Sequence, residues 1–223
     1  MAAPSPPKTV VLTPELHAYV RTHAAPPDPL LEELMVRTAE LVPEQAHMLV
    51  APEEGAFLTF LARLVGARHA LEVGTFTGYS SICLARGLGD GGHLITCDVS
   101  TEWTAMASEF WSRADLLDRI ELRLGPALQT LRSLPHEPFL DLAFIDADKP
   151  GYIGYWEEIV LRLRPGGLVI VDNTLFNGEI LDANPAPKPA AIRAFNAHVA
   201  ADRRVDSVML TVADGVTLAR KLA

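Results

Sequence analysis

Ala70-Leu71-Glu72-Val73-Gly74-Thr75-Phe76-Thr77-Gly78-Tyr79-Ser80 decides how this chain folds. The run ending at Val73 reads as a buried strand, Gly74 opens a turn, and Gly78-Tyr79-Ser80 starts a helix. Glycine in such a turn lets backbone amides approach a ligand closely, and the helix start favours negative charge or hydrogen-bond acceptors. The spacing is GxxxG, not the GxGxxG of the dinucleotide fingerprint, which speaks against a pyrophosphate. Glu72, at the strand end, suits a cationic ligand better than a phosphate.

Working outward, short apolar runs alternate with helical spacing. Strands are expected over 69–73, 93–98, 119–124, 139–146 and 167–172, with helices over 78–88, 101–116, 126–134 and 151–163. That rhythm implies an α/β fold with a mostly parallel sheet and helices on both faces. After the proline-rich Asp182 to Pro189 comes a helix through Ile192, Phe195 and Val199. Val205 to Val212, an Asp214-Gly215 turn and Val216 to Leu222 then form an antiparallel hairpin. Upstream, residues 1–12 read as a frayed tail, and helices start at Thr13-Pro14-Glu15, Asp28-Pro29 and Pro52-Glu53-Glu54. The expected division is a tail and helical extension over 1–44 before one domain over 45–223.

Composition narrows the function class. The 223 residues carry a formal net charge of -9, which opposes a phosphate-tracking surface and hence a nucleic-acid partner. Charged residues or glycine interrupt every apolar run before the ~20 residues a membrane span needs, and the first dozen residues lack the apolar middle of a secretory signal. A cytoplasmic protein is expected. Cys83 and Cys97 sit inside predicted elements without CxxC spacing and read as buried reduced thiols. The histidines form neither HxxxH nor HExxH, and there is no GxSxG.

Two further strand ends carry the chemistry. Phe144-Ile145-Asp146-Ala147-Asp148-Lys149 and Val169-Ile170-Val171-Asp172-Asn173 are apolar runs that stop at hard oxygen ligands. Parallel strands ending side by side gather Asp146, Asp172 and the Asn173 amide at the carboxyl edge, where open α/β sheets place ligands. Two carboxylates and an amide oxygen suit Mg²⁺ and lack the His or Cys expected for zinc. Taken alone, Asp172-Asn173 also fits a strand-ending turn, and Lys149 also fits a surface pair with Asp148. Asp98 closes the second strand about twenty residues beyond the glycine turn, a position that takes ribose hydroxyls in such folds or caps the helix after Ser100. Gly125-Pro126-Ala127 is either a bare turn or a strip packed along a base. Tyr152, Trp156 and Phe176 line an aromatic pocket or pack internally.

Glu72 to Ser80, Phe144 to Lys149, Leu163-Arg-Pro-Gly-Gly167, Asp172-Asn173 and Asp214-Gly-Val-Thr-Leu-Ala219 together resemble the metal-dependent, catechol-type O-methyltransferases, which include the caffeoyl-CoA O-methyltransferases. The resemblance runs from about Gln45 to the C-terminus. It implies the Rossmann-like sheet of enzymes that use S-adenosylmethionine (AdoMet), with a final antiparallel hairpin strand. It further implies that Met48 and Val50 flank the methionine end of AdoMet, that Glu72, Gly74, Thr75, Phe76 and Ser80 hold its amino-acid side, that Asp98 binds the ribose and that Ala127 lies by the adenine. Asp146 would serve both AdoMet and a divalent ion (Mg²⁺, Mn²⁺ or Ca²⁺), Asp172 and Asn173 would complete the metal ligands, and Lys149 would be the general base. Burial and a nearby cation favour the neutral form in which a lysine acts as a base. Two adjacent hydroxyls can chelate one ion, so the implied substrate is a catechol-like aromatic diol; a homodimer is implied by the resemblance alone. The alternatives are an NAD-dependent oxidoreductase, which the GxxxG spacing opposes, and a non-catalytic AdoMet-binding module.

Overall fold

The structure is a computed structural model describing residues 10–23 and 28–223; most of the expected tail, residues 1–9, lies outside the described residues. The apolar runs form strands β1 (His69–Val73), β2 (His93–Asp98), β3 (Ile120–Leu124), β4 (Leu140–Ile145), β5 (Leu163–Val171), β6 (Val205–Leu210) and β7 (Val216–Lys221). Between and before them lie α1 (Pro14–His23), α2 (Pro29–Leu41), α3 (Pro52–Leu64), α4 (Tyr79–Gly87), α5 (Thr101–Arg113), α6 (Ala127–Ser133), α7 (Tyr152–Arg162) and α8 (Pro187–Ala201). The sheet order is β3-β2-β1-β4-β5-β7-β6, parallel through β5, with β7 antiparallel between β5 and β6. The Rossmann-like sheet with its terminal hairpin is therefore present.

Side chains alternate across each strand, so one sheet builds two cores. Ala70, Leu94, Leu142, Phe144 and Ile170 face Leu34, Leu58, Ile82 and Phe110 from α2 to α5. Leu71, Ala143, Ile145 and Val169 face Leu131, Trp156, Ile159 and Phe195 from α6 to α8. Burial on both faces explains why β4 is apolar almost without a break. Helix α2 is capped by Asp28, which accepts from Leu30 N at 2.8 Å, and its Thr38 hydroxyl lies 2.8 Å from that of Thr77 in the glycine turn. Helix α1 buries none of its side chains.

Register places the site. Val73 stands opposite Cys97 on one side and Ile145 on the other, and Ile145 stands opposite Val171. The next residue on each strand therefore falls in one row at the carboxyl edge: Asp98, Gly74, Asp146, Asp172. Asp146 N donates to Val73 O at 2.8 Å and Asp172 N to Ile145 O at 3.1 Å, extending the ladder into that row. Gly74 has φ +105°, and a Cβ there would sit 2.1 Å from Asp146 O. Any side chain at that position would push the two strand ends apart.

Two boundaries differ from expectation. Strand β5 starts at Leu163 rather than 167: Leu163 pairs with Leu140, the register then shifts, and Leu168 pairs with Leu142. Pro165 has no N–H to give the ladder, and a bulge through Gly166 (φ +82°) takes it out of the pairing. The hairpin loop spans residues 211–215 rather than the Asp214-Gly215 pair alone, closed by Gly215 N donating to Val212 O at 2.8 Å.

Candidate active site

At the glycine turn, most polar groups are already paired. Asp98 Oδ2 accepts from Thr75 N (3.1 Å) and Phe76 N (2.8 Å), and Oδ1 accepts from Ser100 N (2.8 Å). Asp98 thus pins the turn and caps the following segment, and its carboxylate keeps lone pairs for hydroxyl donors. Behind it, Thr75 donates to Thr96, whose hydroxyl donates to Glu72 Oε2 at 2.6 Å; Ser81 donates to the same oxygen. Glu72 is fully buried, and burial pushes its carboxyl up to about 7 despite these bonds. Its other oxygen, Oε1, is buried without a hydrogen-bond partner among the described residues. A bare buried carboxylate oxygen is costly, and a cationic N–H donor is the group that satisfies it. Phe76, in a left-handed conformation, meets Trp103 edge-on with ring centroids 5.0 Å apart.

At the other end of the row, charges crowd. Lys149 Nζ lies 3.0 Å from Asp146 Oδ1 and 2.6 Å from Tyr152 OH, and it also donates to Asn173 Oδ1. Lys149 is therefore not paired with Asp148, which instead accepts from Gly151 N and from the Tyr155 hydroxyl. Its side chain is only 12% exposed, so the ammonium is committed to this corner. Asp172 is 4% exposed, and burial followed by the nearby Asp146 charge raises its carboxyl to about 7. Asp146, Asp172 and Asn173 converge here as hard oxygen donors.

Sequence reasoning missed Glu54 and the contacts that Tyr152 and Asp214 make. Glu54, 1% exposed in the first turn of α3, lies near Asp172; burial and the Asp172 and Asp146 charges raise its carboxyl to about 9. Its Oε1 is also buried without a partner among the described residues. An acidic residue in a first turn is so usual a helix-start signal that nothing local marked it. Tyr152, fully buried, accepts from Lys149 and donates to Asp172 O at 3.3 Å, tying the two strand ends together. Burial and the surrounding carboxylates push that hydroxyl well above the usual tyrosine range, keeping it neutral. Asp214, read as a turn residue and as part of a family motif, faces Asn173 and Asn177.

The remaining sequence candidates spread along the edge. Gly74 belongs to the turn and Ser80 to the first turn of α4, Val50 is buried in the core beside α3 and α4, and Met48 is 39% exposed on the preceding turn. Ala127 is buried at the start of α6. Trp156 packs internally, edge-on to Phe195 with its indole donating to Asp202 at 2.8 Å, and does not line the site. A separate group of Glu157, His198 and Asp202 lies near the C-terminus of α8, where the Arg204 guanidinium already pairs with both carboxylates at 2.8 and 2.6 Å. No helix among the described residues is long and apolar enough to cross a membrane.

The sheet edge sets a glycine turn beside a hard-oxygen corner, and the relatives of this chain place it in a class of group-transfer proteins. The profile of the O-methyltransferase family fits residues 21–222, so the chain belongs to that family. A probable caffeoyl-CoA O-methyltransferase of Dictyostelium discoideum is 38% identical over 209 residues, covering 92% of this chain and 90% of its own. A catechol O-methyltransferase of Niastella koreensis is 39% identical over 179 residues, covering 76% and 80% respectively. Among solved structures, the O-methyltransferase of Bacillus cereus in complex with SAH superposes with a TM-score of 0.84 at 37% identity, covering 93% of this chain and 97% of its own. Family membership sets aside the oxidoreductase alternative.

Proposed function

We propose that this chain transfers the methyl group of AdoMet to one hydroxyl of a catechol-like aromatic diol, in a reaction that depends on a divalent cation. AdoMet supplies a methyl already activated on a sulfonium, so no covalent nucleophile is required of the protein. Its ammonium fits the bare Glu72 Oε1, and the SAH complex of the Bacillus relative supports this choice of ligand. Gly74, Thr75, Phe76 and Ser80 would shape the amino-acid side, with Met48 and Val50 flanking it. Asp98 would receive the ribose hydroxyls and Ala127 would lie by the adenine.

The acidic corner fits a hard divalent ion. Asp146, Asp172 and Asn173 would hold Mg²⁺, Mn²⁺ or Ca²⁺, which when bound supplies a field that acidifies a neighbouring hydroxyl. Buried Glu54 and Asp172 lie near each other, with Lys149 bonded to the neighbouring Asp146, so the corner favours added positive charge. In its neutral form Lys149 Nζ would take the hydroxyl proton, and Tyr152 OH and Asn173 Oδ1 would accept hydrogen bonds from the ammonium so formed. Holding donor and acceptor in line can contribute up to ~7–11 kcal/mol to catalysis.

The observation that carries this reading is the register row Asp98, Gly74, Asp146, Asp172, which sets the methyl-donor turn directly beside the oxygen-ligand corner. Methyl transfer to a panel of catechols, assayed with and without EDTA, tests it. Turnover that EDTA abolishes and Mg²⁺ restores is expected; turnover indifferent to EDTA would remove the cation from the mechanism, and none at all would leave the binding-module alternative.

A further inference from the structure

The hairpin loop before β7 grips the segment that leaves β5. Thr174 N donates to Gly215 O at 2.9 Å and Leu175 N to Asp214 O at 3.0 Å. Asn177 N donates to Asp214 Oδ1 at 2.5 Å, and Asn173 Nδ2 points at Asp214 Oδ2 across 3.5 Å. A Cβ on Gly215 would stand 2.6 Å from Leu175 N, so the turn backbone and the segment are in direct contact. The gripped segment contains Asn173, Phe176 and Asn177 at φ 58°, 45° and 51°, conformations that residues other than glycine keep only when their surroundings hold them.

An amide has two ends of opposite polarity, and only its oxygen can serve a cation. At Asn173 the two ends are told apart by their neighbours: Oδ1 accepts from Lys149, and Nδ2 faces the Asp214 carboxylate. Reversing the amide would set NH₂ against the lysine ammonium and the oxygen against a carboxylate. We infer that Asp214 is a positioning residue for the cation corner, fixing which end of the Asn173 amide faces it while holding the left-handed segment in place. This inference rests on the reading of Asn173 as an oxygen donor to a divalent ion.

Mn²⁺ binding to the full chain, followed by electron paramagnetic resonance, tests it, with SAH titration in parallel. Asp214→Asn keeps the side-chain shape, yet whichever way the new amide turns, its NH₂ faces either Asn177 N–H or the Asn173 amide. Mn²⁺ affinity is expected to fall about tenfold, the scale of lost outer-shell partners, while SAH affinity holds. In an Asn173→Asp background, whose carboxylate has no wrong end, the same substitution should cost less than about twofold. Equal losses in both backgrounds would mean that Asp214 acts by charge alone and overturn the inference. Joint loss of Mn²⁺ and SAH binding would overturn it in favour of a purely structural role. If Asp214→Asn fails to fold, Asp214→Glu keeps the charge but moves it by one methylene; weaker Mn²⁺ binding supports positioning, and unchanged binding overturns it. Absence of Mn²⁺ binding by the unsubstituted chain is a different failure, since it removes the cation reading itself.

Discussion

The two ends of the sheet edge solve opposite electrostatic problems. At the glycine turn, Asp98 is occupied by three backbone amides and Glu72 by two hydroxyls, leaving Glu72 Oε1 bare among the described residues. At the cation corner, Lys149 bonds Asp146 and lies near Asp172, Glu54 stands close to both carboxylates, and burial with these like charges raises the carboxyls of Glu54 and Asp172. The first end is preorganised and lacks one donor; the second holds like charges together through burial. The difference teaches that two ligands of unlike charge density can be selected only a strand apart.

If that division holds, substitutions should separate the two functions. Asp146→Ala should have the largest effect: loss of Mn²⁺ binding and a fall in turnover of about a thousandfold, from losing several kcal/mol of cation field. SAH binding that collapses with it would merge the two ends into one site, a result the double assignment of Asp146 makes informative. Glu72→Gln should weaken SAH by about tenfold or more, the size of one charge-assisted hydrogen bond, with Mn²⁺ affinity unchanged. Calorimetric titration of both ligands on each variant reads the comparison directly.

The crowding itself makes a pH signature. Glu54 at about 9, with Asp172 and Glu72 at about 7, all lie above the unfolded carboxyl range. Protons therefore bind the folded state better, so the stability tied to these groups is complete below ~pH 4 and is lost as pH rises through those folded values. Without divalent ions the melting temperature should drop by several degrees between about pH 5 and pH 9, and Mg²⁺ should oppose the drop. Glu54→Gln should flatten the metal-free profile; an unchanged slope would show that Glu54 carries no such burden. Tyr152→Phe should have the smallest effect, about fivefold in turnover from one lost hydrogen bond to Lys149, with SAH binding intact.

Legibility in the sequence followed the range of the signals. Strand ends at Val73, Ile145 and Val171 were readable because apolar runs stop abruptly at polar residues, and the hairpin because a turn pair separates two apolar runs. Asp146, Asp172, Asn173 and Lys149 were nominated for the same reason, and the structure does bring them together. Glu54 was illegible, since its partner Asp172 lies on an element far along the chain and its local setting looks like an ordinary helix start. Asp214 fits a turn equally well whether or not it holds another loop. The bulge in β5 escaped because proline and paired glycines signal a loop, and only pairing with Leu140 draws Leu163 back into the sheet.

By itself the sequence determined the alternation of strands and helices, the acidic surface balance and the residue types waiting at the strand ends, because these depend on neighbours within a few positions. The tertiary structure alone decided that Val73, Ile145 and Val171 share one register, and hence that Asp98, Gly74, Asp146 and Asp172 form one row. It also decided which oxygen of Glu72 stays bare and that Glu54 joins Asp172. Register is a pairing between distant segments, and a shift of one residue turns every side chain to the opposite face, so no local pattern can contain it.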